Sequence, residues 1–125
     1  MSKQKKNHTK LPSSELIEKF EMLYPMVNSD LNEIRELSKK KQDDPLNKFK
    51  VGTINKKLDQ VKTLLINEPT VDFLELLDED TLPTNSDAVL LISQFVNALS
   101  LFKSKYYTND NPEFEIESFT WKTKE

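Results

Sequence analysis

Few residues in this chain have the types and spacing that chemistry needs. His8 is the only histidine, and there is no cysteine. A Ser–His–Asp or Cys–His nucleophile would have a single candidate base, placed in a polar N-terminal stretch. Thiolate and histidine metal sites lack their donors. Carboxylates are plentiful. Glu15 and Glu18 stand three residues apart, and Asp78-Glu79-Asp80 forms a cluster. Such groups can do acid–base work when paired in a cleft, but a solvated acidic surface is the simpler reading. The cluster lacks the glycine and the distal glutamate of an EF-hand loop. No Glu-x-x-His motif of a di-iron protein is present. Gly52 is the only glycine, which argues against a phosphate-binding loop, a Rossmann fold and an all-β fold. The expectation is a non-enzymatic protein with no cofactor and no metal.

Lysines suggest a second chemistry. Arg35, Lys39, Lys40, Lys41, Lys48 and Lys50 flank one connector. Together they would form a positive end able to meet phosphates. Only one of them is arginine, the commonest reader of guanine. The chain as a whole carries a net charge of −3, whereas dedicated nucleic-acid-binding domains are usually basic. Glu33, Glu36, Asp43, Asp44 and Asp59 interleave with the lysines. A weak, sequence-nonspecific nucleic-acid binder working through residues 35–62 is therefore the alternative expectation.

Charge is divided unevenly along the chain. Residues 1–62 hold 14 basic and 9 acidic side chains, and residues 63–125 hold 4 and 12. Thr63–Phe102 contains no lysine or arginine. Part of that gap is an acidic linker at 68–80. The rest is a helix left uncharged because it is buried or bound.

The elements that position these residues read as helices. At 125 residues the chain has the size of one domain. Residues 1–11 are polar, basic and aperiodic, which predicts a flexible tail. Ser13 is a candidate N-cap. Leu16, Phe20, Leu23, Val27, Leu31, Ile34 and Leu37 follow it at helical spacing. Pro25 interrupts that stripe without shifting its phase, so one kinked helix over 13–41 is preferred to two. Asp44 and Pro45 suggest the start of a helix over 45–67. Its buried face would be Leu46, Phe49, Ile54, Leu58, Val61 and Leu65, with Gly52 allowing a close backbone approach. Residues 70–80 suit a short helix. A last helix over 86–107 would bury Val89, Ile92, Phe95, Val96, Leu99, Phe102 and Tyr106. Leu90, Leu91, Ala98 and Leu101 widen its apolar face beyond one stripe, so it is central to the fold or buries a second face in a partner.

Residues 108–125 change character. Glu113–Ser118 alternates charged and apolar side chains at period two, as a strand does. Phe114, Ile116, Phe119 and Trp121 are large apolar side chains of the kind that dominate interfaces. They either fold back onto the chain's own helices or wait for a partner.

The expected fold is all-α: a small antiparallel bundle of three to four helices over 12–107, with an extended acidic and aromatic tail at 108–125. No apolar region follows the basic N-terminus, and no stretch reaches the roughly 20 apolar residues of a membrane span. A cytoplasmic protein without a membrane role is expected. It would work as a protein-interaction module or accessory subunit, resembling antitoxins, immunity proteins and adaptors in outline. Its partner would be another protein, or a further copy of itself, held by the last helix and the aromatic tail.

Overall fold

The computed structural model describes residues 11–110, 113 and 118–124. Among them three α-helices dominate: α1 (Ser14–Lys40), α2 (Lys48–Leu64) and α3 (Asn85–Tyr106). A short 3-10 helix, Pro69–Phe73, lies between α2 and α3. Two strands, β1 (Tyr107–Asn109) and β2 (Phe119–Trp121), pair antiparallel with Tyr107 opposite Trp121. The fold is thus helical but not purely all-α.

α1 starts where the sequence predicts. The Ser13 hydroxyl accepts from the Leu16 amide at 3.1 Å, satisfying a donor that has no helical partner. The helix runs unbroken through Pro25. That residue faces solvent, where water can bond the carbonyl a proline leaves unpaired. Phe20, Leu23, Val27, Leu31 and Ile34 are all buried, joined by Ile17 one residue off the stripe.

α2 starts three residues later than Pro45 suggests. Asn47 is the cap and accepts from the Lys50 amide at 2.8 Å. The preceding residues are strapped to the α3 entry instead. Leu46 donates its amide to Pro83 O at 2.8 Å, and Pro45 bridges Thr84. The buried Asn85 donates from its side-chain amide to Lys41 O at 2.8 Å, closing the C-terminal end of α1. Val51, Ile54, Leu58, Val61 and Leu65 are buried as their spacing requires. Phe49 is not: it is 81% exposed. An added Cβ at Gly52 would meet no atom within 4 Å, so this glycine permits no close approach inside the chain.

Residues 70–80 do not form the expected helix. Beyond the 3-10 turn the chain is extended. A helix there would set Asp78, Glu79 and Asp80 at its negative end, which is unfavourable. The extended path has its own anchor. Buried Asn55 on α2 donates to Leu77 O at 2.8 Å and accepts from Leu77 N at 2.9 Å. Leu74 and Leu77 are thereby held in the core. The Asp78 carboxylate accepts from the amides of Asp80 and Thr81 at 2.8 and 2.9 Å, and these bonds hold its pKa below the usual aspartate value.

α3 packs along α1 and more lightly on α2. Thr84 caps it by accepting from the Asp87 amide at 3.1 Å. Ala88, Ile92, Phe95, Ala98, Leu99, Phe102 and Tyr106 are buried, and Val89 and Val96 are half-buried. Asp30 on α1 pairs with Lys57 on α2 at 3.0 Å, with both side chains largely shielded. No helix among the described residues is long and apolar enough to cross a membrane.

The strand pairing follows α3 directly. Asp110 accepts from Lys122 Nζ at 2.9 Å and from the Thr120 hydroxyl at 2.8 Å. Those bonds, Lys122 first, hold the Asp110 carboxyl below its usual value of 3.8. A depressed acid stabilises the fold at pH above its unfolded value and loses that contribution as pH falls through its folded value. Acidification below about pH 4 is therefore expected to loosen β1 from β2, given an ordinary aspartate pKa near 3.9. The readout is amide exchange at Thr108 and Thr120, faster in acid relative to the helix core. Asp110→Asn should remove that pH dependence, and an unchanged profile would contradict it.

Candidate functional site

The exposed face of α3 combines apolar side chains with an absence of charge. Residues 88–102 contain no charged side chain. The chain buries one side of this helix and leaves the other in solvent. Leu90 is 59% and Leu101 58% exposed. Spacings of 4, 3 and 4 put Leu90, Gln94, Asn97 and Leu101 on one stripe. Asp87 lies on this side at one end and Lys105 at the other, and both are exposed. Single exposed leucines are ordinary; here two share one uncharged helical stripe with Gln94 and Asn97.

Beside Leu101 lies a depression of about 370 Å³, shared by Pro69, Thr70, Ala98 and Ser104. Its rim is held by a polar network. Glu68 accepts from the Tyr106 hydroxyl at 2.8 Å and from Lys105 Nζ at 3.2 Å. Burial and the Glu68 bond raise the Tyr106 pKa. Burial works against the Lys105 charge, but its bonds to Tyr106 and Glu68 outweigh that and raise its pKa. Lys105 Nζ also stands over the Tyr106 ring, 5.2 Å from its centroid and within the ~6 Å reach of a cation–π contact.

The aromatic residues of the C-terminal stretch divide. Phe114 and Ile116 lie outside the described residues. Trp121 packs edge-on against Phe20 with ring centroids 5.2 Å apart, and also meets Phe102 and Tyr107. Its indole N–H donates to Glu21 at 3.1 Å. Phe119 stacks on Tyr107 at 5.6 Å and is 44% exposed. Most of the strand expected over 113–118 lies outside the described residues, and a strand is described at Phe119–Trp121.

The basic residues also divide. Lys40, Lys41 and Lys50 line one cavity of about 310 Å³ with Asp44 and Asn85. Lys48 borders a different, shallow groove with Phe49, Gly52 and Leu76. Lys39 pairs with Glu36 at 3.0 Å and Lys50 with Glu33 at 3.3 Å, which tempers the positive field. Arg35 is exposed on α1. Among the described residues no group of three or more His, Asp or Glu could hold a metal ion.

Sequence reasoning did not find the exposed Phe49 and Phe73, nor the role of Asn55. Nothing local marks Asn55, because its partner is 22 residues away. No protein-family model, curated protein or solved structure matches the chain.

Proposed function

We propose that this chain is a non-enzymatic protein-interaction module, an antiparallel helical bundle that docks through the exposed face of α3. One observation carries the reading: α3 leaves an uncharged face in solvent, with Leu90 and Leu101 more than half exposed. Water gains nothing from such a face, and burying the exposed part of each leucine against a partner is favourable by about 1–2 kcal/mol, less than for a fully exposed side chain. Phe119 adds an apolar side chain near the C-terminal end of α3, while Trp121 chiefly covers the chain's own core. A cysteine-free chain of this kind fits the cytoplasm, and the role resembles an accessory subunit or adaptor.

The test is capture from the source cells with the tagged full chain, its Leu101→Lys variant and its Phe49→Ser variant. Phe49 is exposed on α2, so it controls for loss of any surface apolar group. A protein held by the wild type and by Phe49→Ser, but lost by Leu101→Lys, supports the reading. Equal retention by all three would sink it.

A second reading has its own observation, the convergence of Lys40, Lys41 and Lys50 on one cavity. It predicts nucleic-acid binding that weakens steeply as salt rises.

A further inference from the structure

We infer that the partner seated on the exposed face of α3 is a second copy of this chain, its α3 running antiparallel about a twofold axis. The inference rests on the interaction-module reading and names its occupant. A twofold interface joins the same patch on both copies, so the patch must be complementary to itself.

The α3 stripe meets that requirement. In an antiparallel pair, positions whose numbers share a constant sum face each other. With the axis between Gln94 and Asn97, Leu90 faces Leu101 of the second copy. Gln94 faces Asn97, and their amides can exchange hydrogen bonds. Asp87, at one end, faces Ser104 and so comes within one residue of Lys105 of the second copy. Every pairing occurs twice: leucine meets leucine, amide meets amide, and the acid lies beside the opposite charge.

Orientation is decided by the ends. A parallel pair would set Asp87 against Asp87 and Lys105 against Lys105, which is repulsive. Lys105 already meets Glu68, yet 44% of its side chain remains exposed, so a second carboxylate can reach it. Shape agrees with charge. The depression between Leu101 and the 3-10 helix, floored by Ala98 and walled by Pro69 and Thr70, lies where Leu90 of the second copy arrives. The small Ser93, Asn97, Ser100 and Ser104 let the two helices approach closely.

Sedimentation equilibrium of the full chain tests this. The wild type should move with rising concentration from 14.6 kDa towards twice that mass. Leu90→Glu alone and Leu101→Lys alone should each stay monomeric. The double variant Leu90→Glu/Leu101→Lys should dimerise again, because the new acid and base face each other only across the antiparallel interface. On one helix they are about 16 Å apart, too far to pair. Both sites are exposed, and circular dichroism of each single variant confirms that it folds. A wild type that remains monomeric overturns the inference, as does a dimer indifferent to Leu90→Glu. Single variants that dissociate without rescue in the double variant overturn the antiparallel register. A monomeric wild type whose captured protein is lost on Leu101→Lys would remove self-pairing and leave the interaction reading standing.

Discussion

Phe20→Ala is expected to lower the unfolding free energy by about 3–5 kcal/mol, the usual cost of emptying a buried aromatic site. Phe20 is only 1% exposed. Its ring meets Tyr24 at 5.1 Å, Phe102 at 5.3 Å and Trp121 at 5.2 Å. Removing it therefore empties the junction of α1, α3 and β2 at once. Each aromatic pair adds about 0.5–1.5 kcal/mol beyond buried area. Domains have only about 5–15 kcal/mol in total, so the variant should approach the limit of folding. Urea unfolding followed by circular dichroism measures the loss. Trp121 fluorescence reports whether β2 still covers α1. The milder Phe20→Leu leaves a smaller cavity and should cost less. A loss under about 1 kcal/mol for Phe20→Ala would contradict the account, because core truncations of this size do not come so cheaply.

Asn55→Ala is expected to cost about 2–4 kcal/mol, since it strands the amide and the carbonyl of Leu77 and each buried orphan costs about 1–3 kcal/mol. Asn55 is 5% exposed, so solvent enters poorly. Asn55→Asp is the sharper experiment. A carboxylate can still accept from Leu77 N, but it meets Leu77 O and the Glu79 carboxylate where Asn55 now donates at 2.8 and 3.1 Å. The folded state would raise the pKa of that introduced acid above its unfolded value. The deficit is then full at neutral pH and shrinks as pH falls through the raised pKa, when the protonated acid can donate again. The Asn55→Asp deficit should therefore shrink as pH falls, while the Asn55→Ala deficit shows no such dependence. Parallel curves of stability against pH for the two variants would mean that the clamp on Leu77 is not what holds residues 74–77.

Legibility in the sequence followed how local each cause was. α1 could be read because Ser13 and a stripe in constant phase lie within the helix itself. The start of α2 was misplaced because Leu46 answers to Pro83 and Pro45 to Thr84, partners beyond any local window. The path of 70–80 depends on Asn55 in the same way. At the C-terminus, β2 pairs with the residues that leave α3, a partnership that alternation within one segment does not reveal. For the candidate site, the missing charges singled out α3 from the sequence alone. They did not say that Leu90 and Leu101 face out while Leu99 and Phe102 face in, because a helix apolar on most sides has no distinct phase. Pairing of Lys50 with Glu33 was equally hidden, since the two lie on different helices, whereas the Lys39–Glu36 pair is local to α1.

The contact between β2 and α1 bears on how the chain is made. Trp121 reaches the Glu21 carboxylate across one hundred residues of sequence, and Lys124 donates its amide to Pro12 O at 3.0 Å. During synthesis α1 leaves the ribosome about one hundred residues before the cover for Phe20. Chains extend at about 5–20 residues per second, so that aromatic surface stands open for roughly 5–20 seconds. Local helices can form in that interval, but this end of the fold is closed by high-contact-order pairing that must wait for translation to pass Trp121.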